Sequence, residues 1–195
     1  MRDKKVQTRP IKGTRKRGAT PEEDQMLRKE LEQSGKDKSE LLMIVDLERN
    51  DLNRVCRPGS VRVTELFTVE AYATVFHLVS NVEGELTEDR DVMDLMEAAF
   101  PGGSITGAPK YRAMEIIDEL ENKKRGVYGG TVGYLGFDGN IDTCIAIRTV
   151  VFKDGKGYVQ AGAGIVNDSV PEKEFMETKN KALAVVNAVK EAARL

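Results

Sequence analysis

Residues 59–86, "GSVRVTELFTVEAYATVFHLVSNVEGEL", constrain the fold more than any other stretch of this 195-residue chain. Apolar and polar side chains alternate, and Val, Thr, Phe and Tyr are abundant. A period of two puts successive side chains on opposite faces of an extended backbone, so the stretch reads as strands around a short connection. A second such region is "GVYGGTVGYLGFDGNIDTCIAIRTVVFKDGKGYVQAGAGIV". It reads as three strands separated by "FDGN" and "KDGKG", where Asp-Gly marks tight hairpins between antiparallel neighbours.

Helical patterns surround these strands. In "TPEEDQMLRKELEQSG" Thr20 is an N-cap candidate, with Pro21 at the first helical position and Glu23 three residues on. Gly35 is expected to stop that helix. A second helix is expected from Asp37 or Ser39 through "ELLMIVDLERNDL", with Leu42, Val45 and Leu52 among its apolar positions. "DVMDLMEAAF" reads as a helix ending at Pro101, and "PGGSITGAPKYRAMEIIDELE" as a Gly-rich loop feeding an amphipathic helix. From Val170 a long helix begins with Pro171, its inward face formed by Phe175, Ala182, Val185, Val186 and Val189. Mixed helix and antiparallel strand, with no internal repeat, indicate an α+β fold in one domain, residues 1–195.

Charge and cysteine content narrow the function classes. Thirty Lys+Arg against 32 Asp+Glu leave no excess that would favour nucleic acid. Charge is concentrated at the start, where residues 1–18 hold eight Lys/Arg and one acid, a pattern usual for a solvated basic arm. Cys56 and Cys144 form no CxxC motif, and His77 is the one histidine, so free thiols in a reducing cytoplasm are expected. No apolar stretch approaches a membrane span and no signal-peptide core is present.

Three groups of residues carry chemical potential. "PGGSITGAPK" can cradle an anion, because glycines let backbone N–H groups approach a ligand ahead of a helix N-terminus; a plain helix-entry loop explains it equally. In "PEKEFMETKNKA", Glu174, Glu177 and Lys181 share one helix face, as surface ion pairs or as a carboxylate pair for Mg²⁺. Glu40, beside apolar "LLMIVDL", is a candidate third ligand, since a carboxylate at the edge of a buried helix needs a charge partner. In "DTCIAIRT", read as a strand, Arg148 shares a face with Cys144 and Ala146 and could clamp a carboxylate, with Tyr128 adding a hydroxyl. A snorkelling structural arginine is the alternative.

Taken in order, "PIKGT", "ELLMIVDLERNDL", "PGGSITGAPKYRAMEIIDELE", "GVYGGTVGY", "DTCIAIRT" and "AGAGIVNDSVPEKEFMETKNKA" resemble the chorismate-utilising enzymes, from about Val6 to the C-terminus. The resemblance implies a partial chorismate-binding fold, with antiparallel sheets flanked by helices and its N-terminal portion missing. It also implies Mg²⁺-dependent substitution on chorismate, in which loss of the C4 hydroxyl is coupled to nucleophilic addition at C2. By motif position Glu40 and Glu177 correspond to Mg²⁺ ligands, with Glu174 beside them. Arg148 and Tyr128 correspond to holders of the enolpyruvyl carboxylate. Ser104 and Gly162, Ala163 and Gly164 correspond to the lining of the ring pocket. Thr14 and Lys181 correspond to further substrate-binding positions, and His77 to a histidine beside the leaving hydroxyl. A glutamine amidotransferase subunit supplying ammonia is the implied partner.

Lys12 separates sister reactions within that resemblance. "PIKGT" is characteristic of aminodeoxychorismate synthase component I, whose lysine amine attacks C2 before ammonia arrives at C4. Anthranilate synthases carry a small residue there, and ammonia attacks C2 directly. "MIVDLERNDL", "VEAYATVFHLVS" and "FPGGSITGAPK" also resemble the aminobenzoate side, whereas "VYGGTVGY" and "DTCIAIRT" are closer to anthranilate synthase. The expectation is therefore aminodeoxychorismate formation in the folate/para-aminobenzoate pathway, with Lys12 as nucleophile. Anthranilate synthase component I and a non-catalytic chorismate-binding or complementing fragment are the alternatives. The family's general-acid glutamate lies in an "SPE"-type motif upstream of the lysine position, which this chain lacks. Weak or no turnover by the isolated chain is expected on that ground.

Overall fold

The computed structural model describes residues 1–194. They group into two compact units, one of Met1–Ala113 with Leu135–Ile141, the other of Met114–Tyr134 with Asp142 onward.

In the first unit the alternating stretch forms β3 (Arg62–Ala71) and β4 (Val75–Glu85), an antiparallel pair. β4 is the spine of a four-stranded sheet. β3 lies along one of its edges. Along the other, β1 (Lys5–Thr8) and β2 (Ile11–Lys16) pair end to end, Lys5 opposite Glu85 and Lys16 opposite Val75. The basic stretch is thus ordered strand, not a solvated arm. Several of its cations find partners: Arg17 makes two 2.7 Å bonds to Asp24, Arg15 lies 2.7 Å from Glu30, and Lys4 donates to the Arg90 carbonyl at 2.6 Å. Two irregularities shape the sheet. At Gly13 (φ 76°) the register of β2 shifts, and at Phe67 (φ 59°) β3 bulges, its amide donating to Ser80 Oγ at 3.2 Å.

Helices α1 (Pro21–Gln33) and α2 (Gly35–Asn53) pack against this sheet. Thr20 caps α1 as expected, accepting from the Glu23 amide at 3.2 Å, while the Glu23 carboxylate turns to the Ala19 amide. Gly35 does not terminate α1. Ser34 ends one helix and starts the next, its Oγ accepting from the Asp37 amide at 3.3 Å, so α2 begins earlier than its apolar pattern suggests. Leu31, Leu41, Val45 and Leu52 from the helices meet Phe76, Leu78 and Val82 of β4 in the core; Leu42, expected inside, is exposed. α3 (Val92–Ala99) is closed at its start by a reciprocal Asp91–Asp94 capping box. The Gly-rich loop contains one short turn, α4 (Gly103–Thr106), before α5 (Lys110–Leu120).

The second unit contains most of the hairpin β5 (Thr131–Leu135) and β6 (Ile141–Ile145), the hairpin β7 (Val150–Lys153) and β8 (Lys156–Val159), and α6 (Pro171–Ala192). Both Asp-Gly turns stand where the sequence places them, joining four short strands rather than three longer ones. "DTCIAIRT" is not strand throughout: β6 ends at Ile145, the Ile147 amide turns back to the Ile145 carbonyl, and Arg148 adopts φ 54°. On α6, Ala182, Val185, Val186 and Val189 are half-buried as expected, but Phe175 is exposed and Glu174 takes the buried position beside it.

Candidate functional site

In the first unit β2, β4 and α2 gather Lys12, Thr14, His77 and Glu40. The bulge at Gly13 lies between Lys12 and Thr14, and a Cβ there would stand 2.8 Å from Asp37 and Leu31, so glycine is required for the close approach to the helices. Lys12 Nζ lies 3.4 Å from Glu40 Oε2, both side chains about one-fifth exposed, and Lys36 lies 3.9 Å from the same carboxylate. The charge partner that Glu40 demands is thus supplied by lysine. Thr14 Oγ1 is 3.0 Å from His77 Nδ1, and the Tyr72 ring meets the imidazole edge-on at 5.4 Å. The imidazole is held from two sides, which fixes the direction in which its other nitrogen points. Ser104 lies exposed on α4, next to Gly103, which is pressed against Leu47 of α2.

In the second unit Tyr128, Arg148, Gly162, Glu174, Glu177 and Lys181 assemble around the first turns of α6. Lys181 is the hub: its Nζ lies 2.5 Å from Glu177 Oε1 and donates to the Gly162 carbonyl at 3.2 Å, while its own carbonyl accepts from Arg148 at 2.9 Å. The Tyr128 hydroxyl would lie 2.8 Å from a Cβ on Gly162, so only glycine admits the phenol at this point. Burial raises the Tyr128 pKa, and Arg125, 5.6 Å from the ring, acts against it, so the group is a neutral hydrogen-bond donor at physiological pH. Ala163 and Gly164 continue the irregular segment after Gly162. Glu174 is buried and accepts from Ser169 Oγ at 3.0 Å.

Glu174 and Glu177, three residues apart on one helix, offer carboxylate oxygens, the donors Mg²⁺ takes, and Mg²⁺ sites often use only one or two protein carboxylates. Their chemistry fits that ion. Among the described residues, no group of three or more His, Cys, Asp or Glu is gathered as a metal cluster.

A further polar group, Thr8, Glu48, Asp51 and Lys110, escaped the sequence reading. Thr8 Oγ1 donates to Glu48 at 2.8 Å, and Lys110 Nζ lies 2.6 Å from Asp51. Burial pushes the Glu48 pKa up to about 7; the Thr8 bond opposes the shift, Asp51 adds to it and Lys110 counters it. The signal was present in the helix pattern, because Glu48 falls between buried Ile44 and Leu52 on the inward face of α2.

Comparison with known proteins places these residues in a family. Residues 1–187 match the chorismate binding enzymes. The chain is 56% identical over 190 residues to anthranilate synthase component 1 of Acetivibrio thermocellus, covering 97% of this chain and 38% of that protein. It is 54% identical over 189 residues to anthranilate synthase component 1 of Aquifex aeolicus, again covering 97% of this chain and 38% of the relative. Among solved structures it matches anthranilate synthase component I from Streptococcus pneumoniae TIGR4 with TM-score 0.86 at 44% identity, over 95% of this chain and 40% of that one. The menaquinone-specific isochorismate synthase MenF from Escherichia coli matches with TM-score 0.81 at 26% identity, over 95% and 42%. The chain therefore spans about two-fifths of the length of these relatives.

These relatives overturn the expectation of an aminodeoxychorismate synthase. That reading leaned on Lys12 and its neighbouring motifs; identity above one half across 97% of the chain is with anthranilate synthase component 1. The structure accounts for Lys12 otherwise, as the ammonium partner of Glu40. The fold is the α+β chorismate-binding fold expected from the motifs. The chain belongs to the chorismate binding enzyme family.

Proposed function

We propose that this chain carries the chorismate-binding catalytic portion of an anthranilate synthase component I, converting chorismate and ammonia to anthranilate. The observation that carries the reading is the 54–56% identity to two such components over 97% of the chain. In this reaction ammonia adds at C2 as the C4 hydroxyl leaves, and the enolpyruvyl group is then eliminated as pyruvate to give the aromatic amine. Ammonia would come from a glutamine amidotransferase partner.

The residues divide the work by chemistry. Arg148 can pair bidentately with the enolpyruvyl carboxylate, and the Tyr128 hydroxyl adds a neutral donor. In the first unit Ser104 offers a hydroxyl to the substrate, and in the second the backbone of Gly162, Ala163 and Gly164 offers amides. Lys181, already bonded to Gly162, fixes that backbone against α6 and brings a cation for the diacid. His77, oriented by Thr14, stands beside the departing hydroxyl and aids its protonation. Glu174 and Glu177 would hold Mg²⁺, which would supply charge neutralisation for the acidic substrate. Direct attack by ammonia leaves no covalent role for Lys12.

Incubation with chorismate, Mg²⁺ and ammonium, followed by chromatographic identification of the product, tests the reading. Turnover is expected to be weak, with anthranilate as the product from the protein and from its Lys12→Ala variant alike. Accumulation of aminodeoxychorismate, or product formation that Lys12→Ala abolishes, contradicts it.

A further inference from the structure

The loop between α3 and α5 carries Ser104, and its shape is not set by its own hydrogen bonds alone. Within it, Gly107 N donates to the Gly103 carbonyl at 2.9 Å and Thr106 Oγ1 to the Gly102 carbonyl at 3.3 Å, closing only the single turn α4. The two ends are joined by one side chain. Lys110 Nζ, just beyond the loop, donates to the carbonyl of Ala99, just before it, at 3.2 Å. The same ammonium lies 2.6 Å from Asp51 on α2, and the pair is 10% and 6% exposed. At the loop's centre, Gly103 lies so close to α2 that a Cβ would stand 2.8 Å from Leu47. Leu47 and Asp51 are one helical turn apart. The loop is therefore seated on one face of α2 at two points, apolar at Gly103 and ionic at Lys110.

A buried ammonium with a carboxylate and a carbonyl around it has a specific geometry, and losing one partner leaves the others uncompensated. A charge so placed favours one loop conformation over others. We propose that Asp51 and Lys110 are positioning residues for the substrate pocket: their ion pair closes the neck of residues 100–109 and holds Ser104 and its flanking backbone amides in the binding arrangement. Neither residue touches substrate. The proposal rests on the reading of Ser104 as part of the chorismate pocket, and it assigns a function to the "GAPK" lysine beyond helix entry.

The test uses Lys110→Met, which keeps the length and loses the charge, and Lys110→Arg, which restores a cation. Amide hydrogen exchange over residues 102–107 and calorimetric affinity for chorismate in Mg²⁺ are measured on each. In Lys110→Met, exchange of these loop amides is expected to accelerate at least about tenfold while β4 amides keep their protection, with chorismate affinity falling about tenfold. Lys110→Arg is expected to recover most of both. Asp51→Asn, which keeps the Ala99 bond, provides the second variant where Lys110→Met fails to fold, and is expected to show the same selective loss. Unchanged loop exchange in the folded variants overturns the staple. Accelerated exchange with unchanged affinity overturns its role in the pocket. Absence of chorismate binding by the unsubstituted protein would instead defeat the proposed function, and loop exchange would still decide whether the staple exists.

Discussion

Glu48 shows how one side chain can set a pH dependence. Its carboxyl accepts from Thr8 on β1 and faces Asp51 and Lys110, and burial raises its pKa from 4.5 to about 7. A carboxyl whose folded pKa exceeds its unfolded one binds more protons in the folded state between the two values. Stability from this group is therefore full below about pH 4.5 and is lost as pH rises through about 7, amounting to roughly 3 kcal/mol at most. Glu48→Gln, uncharged throughout, should gain stability relative to the parent between pH 5 and pH 8. Denaturant midpoints at those two values check this, and an equal difference at both contradicts it. The same side chain shows a limit of sequence reading. The inward position of Glu48 follows from helical periodicity, but its partners come from residues 8 and 110, and no local pattern pairs them.

At the scale of elements, the alternation of residues 59–86 was legible, and it specifies β3, β4 and their pairing. So were both Asp-Gly hairpins, the Thr20 cap and the start of α6, because each depends on chemistry within a few residues. Other features were decided by distant contacts. The basic opening stretch became strand because β4 offered it an edge, and its charges found acids on α1. Ser34 took over the joint between α1 and α2 because its hydroxyl could cap the second helix. Arg148 left the strand pattern of "DTCIAIRT" once the chain turned at Ile147. Two predictions belong here. Gly13→Ala combines a φ of 76° with a Cβ 2.8 Å from Asp37 and Leu31, and should cost more than about 1 kcal/mol by thermal denaturation. Leu31→Ala empties a fully buried position between α1 and the sheet, and should cost about 2–5 kcal/mol. Unchanged midpoints would mean that α1 is not anchored to the sheet through this corner.

For the whole molecule, the two units differ in how much they bury. The first holds nearly all of the core, from Val6 to Ala98. In the second, Gly129, Ala146 and Glu174 are the buried residues among those described, while Val132, Tyr134, Phe152, Tyr158 and Phe175 are exposed. Local stability follows buried apolar contact, so amides of β5 to β8 should exchange faster than those of β4 under native conditions. Equal protection in both would contradict this. Each unit carries candidate site residues of its own, His77 and Glu40 in the first, Arg148, Tyr128 and Lys181 in the second. The six motifs made the family legible because they recur in order along almost the entire chain. Product specificity was less legible, since Lys12 suggested one sister reaction and the similarity of the whole chain supports another.

The proposed function requires that chorismate be held through Arg148. Calorimetric titration of the protein with chorismate in Mg²⁺ tests it most directly. Saturable binding is predicted, weakened at least about tenfold in Arg148→Gln, since a bidentate charge-assisted pair is lost. No binding heat, or equal affinity in the variant, would contradict the account.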